Sequence, residues 1–257
     1  MVSENSIRLF VDQPLDSGMS VELNPEQVNY VRNVMRLNVS DSVRLFNGKD
    51  GEWQGTIAEL AKKSARLTVE KQTRKQKDGT DVWLLFAPIK FGKIDFLVTK
   101  ATELGVSTLQ PVITKHTIVT RVNTDRLRAN AIEAAEQSDR LTVPEVSGEI
   151  TFEKLIQGWD KNRQILLCDE SGAGKSIGTV LSALPEAKKK ARWAILIGPE
   201  GGFSKAELEK LRTLPYVTSV GLGENILRAD TAALAALACF QSLTGRWETP
   251  PHFEGNR

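Results

Sequence analysis

From Val82 onward, five apolar runs alternate with helical patterns, and this rhythm restricts the fold more than composition does. Continuous apolar strands that alternate with helices are typical of a parallel sheet covered on both faces. The sequence therefore predicts an α/β domain with a parallel sheet over residues 82–257. The five runs are VWLLFAPI, STLQPVI, QILLCDE, RWAILIGPE and VTSVGLG.

Three helices of this domain carry signals of their own. The segment from Lys93 places its apolar residues on one stripe that suits packing on a sheet. Ser204 and Glu207 form a capping box at the start of SKAELEKLRT. Residues 229–243 are rich in Ala and Leu, which predicts a closing helix buried in the core.

Residues 1–72 show a different rhythm, that of short strands. SIRLFV, DSVRLFNGKDGEWQGTIAEL and ARLTVE alternate apolar and polar residues around Asn-Gly and Asp-Gly turn signals. Asn24 and Pro25 offer an N-cap and a first helical residue for the helix QVNYVRNVMRL. This pattern predicts a small β-barrel over residues 1–72, and the polar stretch 73–81 predicts a linker.

Composition excludes several classes of protein. The formal net charge is only +2, and no apolar run approaches the roughly 20 residues of a membrane span. Two Cys and two His at scattered positions do not form a zinc cluster, so we expect no metal. The opening MVSENSIRLF lacks the basic and then apolar order of a signal peptide, so we expect a cytoplasmic protein with no membrane partner.

Basic residues cluster locally despite the balanced charge. Seven basic residues and one acidic one lie between Lys62 and Lys77, and KKKAR spans Lys188 to Arg192. Each run is either a solvated face or a patch that follows nucleic-acid phosphates.

Two glycine-rich segments resemble nucleotide loops but lack a required residue. In ESGAGKS, a phosphate-binding loop needs Gly where this chain has Asp169, whose carboxylate would repel a phosphate. In GLGENI, the dinucleotide fingerprint needs Gly or Ala where this chain has Ile226.

Other glycines are informative because they come directly after predicted strands. In open parallel sheets, ligands bind beyond the carboxyl ends of the strands, where glycines let the backbone approach closely. The glycines either shape two tight turns or form a binding site together with Glu200, Asn225 and Arg228. They are Gly198, Gly201 and Gly202 in ILIGPEGG, and Gly221 and Gly223 in VGLGENILRADTA.

A helix predicted from Thr124 carries a polar face. Glu133, Glu136, Gln137 and Arg140 are spaced so that they align on one side of a helix. This face is either solvated, or a substrate wall, or a subunit contact.

Four motifs in order resemble the RsmE family of 16S ribosomal RNA uracil-N3 methyltransferases, in the SPOUT class. They are GPEGGFS, GLGENILRADTA, EAAEQSDR followed by Pro144, and KFGKIDFLVTKATELGV. IRLF and YVRNVMRL also fit the amino-terminal RNA-binding domain of that family, so the resemblance spans nearly the whole chain. The chain departs from the family at Glu224-Asn225, where Pro-Arg is frequent, and at Asp230, where Glu is frequent.

The resemblance implies a PUA-like barrel followed by a knotted (trefoil) SPOUT methyltransferase domain with a parallel sheet. It implies S-adenosyl-L-methionine as the cofactor, 16S ribosomal RNA in the small ribosomal subunit as the partner, and a homodimer. The cofactor-binding residues that it implies are Leu167, Gly198, Glu200, Gly201, Gly202, Leu222, Gly223, Ile226 and Leu227.

The resemblance also indicates which residues act on the RNA. Arg228, Arg140 and Glu200 are the catalytic candidates, with the arginines holding RNA or stabilising charge on the uracil oxygens. The general base is unassigned between Glu200, Glu136 and solvent. The residues expected to contact RNA are Arg8, Arg32, Arg36, Lys90 and Lys93.

Two alternatives stay open at the level of sequence. A non-catalytic RNA-binding factor for ribosome assembly would share the RNA contacts but would not bind the cofactor. A phosphate-loop switch protein would bind ATP or GTP at Gly172 to Ser176.

Overall fold

The computed structural model describes residues 7–90, 92–244 and 247–248. They fall into two compact units, which comprise residues 7–78 with 135–143, and residues 79–134 with the described part of 144–248.

The first unit is built on a five-stranded sheet in the order β1-β3-β4-β5-β2. Its pairs are antiparallel except for β1 with β3. Each segment that was predicted to form strands contains one or two strands of this sheet. Strand β2 lies outside the predicted segments. The strands are β1 Arg8–Phe10, β2 Ser20–Glu22, β3 Ser42–Phe46, β4 Glu52–Leu60 and β5 Ala65–Arg74.

Alternation along these strands places one face of the sheet in an apolar core. Val43, Leu45, Ile57, Leu67 and Val69 are all fully buried there. Each comes from an apolar position of the alternating pattern, as the period of two along a strand requires.

The helix of this unit begins where predicted and then changes type. The helix α1, Pro25–Asn29, has Asn24 as its N-cap, with a capping box to Gln27. The next turn, Tyr30–Val34, is a π-helix. The prediction of a continuous α-helix through QVNYVRNVMRL was therefore wrong after Asn29, and short π-helical turns frequently occur at functional sites.

The second unit is built on a larger sheet in the order β11-β13-β10-β12-β6-β7-β8, with β9 beside β7. All of its pairs are parallel. The five apolar runs form β6, β7, β10, β12 and β13, which confirms the predicted parallel sheet. The strands are β6 Val82–Phe86, β7 Thr108–Ile113, β8 Glu145–Val146, β9 Ile150–Thr151, β10 Gln164–Cys168, β11 Lys175–Ser176, β12 Trp193–Ile197 and β13 Val217–Gly221.

Helices alternate with these strands along the chain. The last helix is the predicted closing helix, and it packs on β12 with Phe240 edge-on to Trp193, ring centroids 5.9 Å apart. The capping box of Ser204 and Glu207 is present. The helices are α2 Lys93–Glu103, α3 Thr124–Gln137, α4 Phe152–Gln157, α5 Ile177–Ser182, α6 Glu186–Lys189, α7 Lys205–Arg212 and α8 Ala229–Leu243.

Helix α3 ends earlier than its polar pattern predicts. It stops at Gln137, and Asp139 takes a left-handed φ of 60°. Arg140 therefore lies beyond the helix and does not continue the face of Glu133, Glu136 and Gln137. A left-handed residue ends an α-helix because it redirects the chain.

None of the helices in the described ranges combines the length and the apolar composition that a transmembrane helix needs.

Candidate functional site

Three neighbouring strands of the second unit end at one edge of its sheet. β10, β12 and β13 are parallel and end at Cys168, Ile197 and Gly221. A cavity of about 620 Å³ opens at this edge. It lies where open parallel sheets hold ligands, beyond the carboxyl ends of the strands. Its lining residues come from the segments 168–176, 197–202 and 221–229, with Ala232.

Most of the residues predicted to bind a cofactor line this cavity. The exceptions are Leu167 and Gly201. Leu167 is fully buried among core side chains, so its side chain has no surface to offer a ligand. Gly201 lies against His116, whose Cβ is 3.3 Å from the place of an added Cβ. The predicted residues that do line the cavity are Gly198, Glu200, Gly202, Leu222, Gly223, Ile226 and Leu227.

Two of the glycines that were predicted to bind the cofactor, and that line the cavity, have backbone conformations that other residues rarely adopt. Gly202 has a φ of +68° and Gly223 has a φ of +111°. An added Cβ at Gly202 would also lie 2.5 Å from Oε1 of Glu170. Glycine is required at both positions because a side chain would be strained there.

Side chains from neighbouring loops hold the turn that follows β12. The backbone N–H of Phe203 donates to Oε1 of Glu170 across 3.0 Å. Nδ1 of His116 donates to the carbonyl oxygen of Gly202 across 3.1 Å. These two bonds hold the peptide unit that joins Gly202 to Phe203.

Neither Glu170 nor His116 was singled out from the sequence. Glu170 had a usable signal, because it lies two residues after the apolar run QILLC and thus close to a strand end, like the two glycine loops. His116 is a lone histidine in a loop, and its contact with Gly202 has no counterpart in sequence spacing.

Asp169 explains why ESGAGKS is not a phosphate-binding loop. Its Oδ2 accepts from Nη2 of Arg212 across 2.6 Å, and its Oδ1 accepts from the N–H of Ser171 across 3.0 Å. Burial alone would raise the pKa of Asp169, but the hydrogen bonds from Ser171 and Arg212 lower it below its usual value. The carboxylate therefore stays charged and anchors α7 to this loop.

Cys168 lines the cavity but is not a nucleophile. Burial raises the pKa of its thiol to about 12, so the thiol stays protonated at neutral pH. The described residues contain no group of three or more His, Cys, Asp or Glu side chains that could hold a metal ion.

Arg228 lies at the rim of the cavity and at the start of α8. It is the N-cap residue, with φ −65° and ψ 153°, and its side chain is exposed. No ion pair with a described residue engages its guanidinium. Oδ1 of Asp230 instead accepts from the N–H of Thr231 across 3.0 Å. Arg228 is thus a cation available to a ligand.

Arg140 and Glu136 belong to the first unit. Nη2 of Arg140 donates to Oγ1 of Thr142 across 3.1 Å, and burial lowers the pKa of Arg140 to about 10, so it remains a cation at neutral pH. Oε1 of Glu136 accepts from the N–H of Phe10 across 2.8 Å. That bond argues against Glu136 as a general base.

Arg8 has a structural position that argues against the predicted contact with RNA. Its side chain is only 4% exposed, and Nε donates to Oε2 of Glu52 across 2.7 Å. Its other nitrogens donate to the carbonyl oxygens of Ala135, Glu136 and Arg140. A buried guanidinium with these partners holds the chain together and presents no donor to a phosphate.

The remaining predicted RNA contacts are exposed. Arg32 and Arg36 of the first unit share a surface concavity of about 400 Å³, and Arg36 has a left-handed φ of 55°. Lys90 and Lys93 of the second unit are also exposed. All four are accessible to a phosphate. The other residues that line the concavity are Asn33, Leu37, Asn38, Val39 and Leu60.

Comparison with known proteins identifies related chains along nearly the whole length. Family models match residues 76–241 as an RNA methyltransferase domain and residues 23–70 as an RNA methyltransferase PUA domain. Ribosomal RNA small subunit methyltransferase E of Rickettsia conorii is 36% identical over 234 residues, which cover 90% of this chain and 93% of that protein. The protein of the same name from Bacillus subtilis is 29% identical over 251 residues, covering 92% and 96%.

The fold is likewise similar to a solved structure. A ribosomal RNA small subunit methyltransferase E from Neisseria gonorrhoeae, bound to S-adenosyl methionine, aligns with a TM-score of 0.82 at 26% identity. The alignment covers 93% of this chain and 98% of that one.

Proposed function

The chain belongs to the family of ribosomal RNA small subunit methyltransferase E, and we propose that it transfers the methyl group of S-adenosyl-L-methionine to N3 of one uridine in 16S ribosomal RNA. One observation carries the proposal. Two glycine loops, after β12 and β13, line a cavity that has an available arginine at its rim.

The cavity suits the cofactor in size and chemistry. Small-molecule sites usually enclose about 300–1,000 Å³, and this cavity has about 620 Å³. Leu222, Ile226 and Leu227 offer apolar contacts for an adenine ring, and the glycines expose backbone groups for its edges. Glu200 adds a carboxylate that accepts from hydroxyl or ammonium groups.

The protein's own task in this reaction is alignment. When bound, the cofactor supplies a methyl group that its sulfonium already activates. The loops after β12 and β13 would hold it beside the uracil, which removes translational freedom from the barrier and contributes several kcal/mol. Arg228 would stabilise the negative charge that develops on the uracil oxygens as N3 loses its proton. Solvent or Glu200 would accept that proton.

Positive side chains of both units would hold the RNA. Arg32 and Arg36 of the first unit and Lys90 and Lys93 of the second are exposed cations that suit phosphate contacts. The substrate in this proposal is the RNA within the small ribosomal subunit, and the place of action is the cytoplasm. A homodimer and a trefoil knot in the second unit belong to the same proposal.

Calorimetry with S-adenosyl-L-methionine separates this proposal from its alternatives. We expect binding in the micromolar range, together with binding to 16S ribosomal RNA. A protein that binds the RNA but not the cofactor would be an assembly factor without catalysis. A protein that binds ATP or GTP at Gly172 to Ser176 would be a nucleotide switch, which the ion pair of Asp169 with Arg212 opposes.

A further inference from the structure

Glu170 lies at the middle of the cavity's three loops. It follows β10, which pairs with β12 on one side and with β13 on the other. The two glycine loops follow β12 and β13. A ligand that contacts both glycine loops therefore passes beside the loop of Glu170.

The Glu170 carboxylate is held in place although the residue is exposed. Its Oε1 accepts from the N–H of Phe203 across 3.0 Å. The same oxygen occupies the space that a side chain at Gly202 would need, since an added Cβ would lie 2.5 Å away. A charge fixed in this way loses less side-chain entropy when a ligand arrives than a freely moving one does.

The charges around the cavity favour a cationic ligand. Among the described residues that line it, the negative side chains are those of Asp169, Glu170, Glu200 and Glu224, and the positive one is Arg228. Asp169 is neutralised by Arg212, whose Nη2 lies 2.6 Å from Oδ2. The remaining lining carries more negative than positive charge.

We propose that Glu170 makes the cavity select the cationic cofactor over its neutral reaction product. This inference rests on the proposed function. S-adenosyl-L-methionine carries a sulfonium between its adenosine and its amino-acid part, and S-adenosylhomocysteine carries an uncharged thioether at the same place. The ammonium, the carboxylate and the ribose hydroxyls are common to both. A fixed carboxylate on the loop between the two glycine loops therefore distinguishes the two ligands, by about five- to tenfold for a charge pair about 4 Å apart that water screens.

The consequence for turnover is that the product leaves more readily than the cofactor. Loss of the methyl group removes the positive charge that Glu170 attracts. The spent molecule is then held only by contacts that both ligands share.

The test is calorimetry of Glu170→Gln with S-adenosyl-L-methionine and with S-adenosylhomocysteine. The Gln side chain keeps an acceptor for the N–H of Phe203, so the variant removes the charge and retains the hydrogen bond. We expect the affinity for the cofactor to fall about five- to tenfold, with little change in the affinity for the product. Glu209→Gln is the control, because Glu209 is an exposed carboxylate on α7 that does not line the cavity, and its ratio of affinities should equal that of the parent protein.

Equal weakening of both ligands would overturn the inference, because it would place the Glu170 carboxylate against groups that both ligands carry. An unchanged ratio in Glu170→Gln would overturn it as well. A parent protein that binds neither ligand would instead refute the proposed function, so the two failures are distinguishable.

Discussion

The guanidinium of Arg8 donates to the carboxylate of Glu52 across 2.7 Å, with the two side chains 4% and 0% exposed. Burial lowers the pKa of Arg8 even though the Glu52 carboxylate beside it favours the charged form. The same guanidinium donates to two backbone carbonyls in the last turn of α3, those of Ala135 and Glu136, and to that of Arg140 just beyond the helix. A residue of the first strand thus fixes the segment that carries Arg140.

Replacing Arg8 tests this structural role. Arg8→Met leaves the Glu52 carboxylate buried without its main partner, so the free energy of unfolding should fall by about 3–5 kcal/mol. Urea denaturation measures the change. Arg66→Met is the control, since the Arg66 to Glu59 pair at 3.1 Å is exposed and its loss should cost less than about 1 kcal/mol. Equal small losses in both variants would contradict the role given to Arg8.

The lowered pKa of Asp169 predicts that the free energy of unfolding depends on pH in the acid range. Because its folded pKa lies below the ordinary value, its contribution to stability is fully present above the unfolded pKa of about 3.9 and is lost as the pH falls through the folded pKa. Asp169→Asn should therefore lower stability at neutral pH and flatten the acid limb of the stability curve. Denaturation between neutral pH and pH 3 checks this, and an acid limb as steep as that of the parent would refute it.

Replacing Gly223 should abolish cofactor binding while the protein stays folded. An added Cβ meets no atom within 4 Å, but the φ of +111° is strained for any other residue, so Gly223→Val should reshape the loop after β13. We expect no calorimetric binding of S-adenosyl-L-methionine and an unchanged circular dichroism spectrum. Gly148→Val is the matched control, because Gly148 is also in open space and has an ordinary φ. Parental affinity in Gly223→Val would remove this loop from the site.

Replacing Arg32 and Arg36 tests whether they contact RNA phosphates, because such contacts determine the salt dependence of RNA binding. Replacing both by Ala should weaken binding and flatten the plot of log affinity against log salt by about one unit of slope for each lost phosphate contact. Cofactor affinity should not change, since neither arginine lines the cavity. Lys205→Ala, which removes an exposed cation beside Glu209, serves as the control. A slope identical to that of the parent would exclude phosphate contacts at these positions.

Replacing Arg228 tests its proposed role in catalysis. If it stabilises charge on the uracil, Arg228→Ala should lower the single-turnover methylation rate by about two to three orders of magnitude, with little change in cofactor affinity. Arg228→Lys should rescue poorly, because an ammonium lacks the planar fork of a guanidinium. Sedimentation in parallel distinguishes this from a role in subunit contact. A variant that dissociates into smaller species, or that methylates at the parental rate, would end the catalytic assignment.

The sheet of the second unit was predictable because its strands carry continuous apolar runs. Strand β12 is buried throughout, from Trp193 to Ile197, so every one of its positions had to be apolar. The short strands β8, β9 and β11 have two residues each, too few for a period to be detected. They form because neighbouring strands offer backbone partners, which sequence patterns do not record.

The cavity was predictable in part for a similar reason. Glycines directly after apolar runs mark strand ends, and Gly202 and Gly223 do line the cavity with positive φ values. The roles of Arg8 and Glu170 depend instead on partners distant in sequence, Glu52 and Phe203. Tertiary packing decides which groups these charged side chains contact, and the chemical type of a residue does not reveal its partner.

Mass mapping of 16S ribosomal RNA from a strain that lacks this protein tests the central claim most directly. We expect one uridine to lose an N3 methyl group, and we expect the parent protein, but not Arg228→Ala, to restore it. Ribosomal RNA from the deletion strain that carries every N3-methyluridine of the parent strain would contradict the assignment of this chain as the methyltransferase.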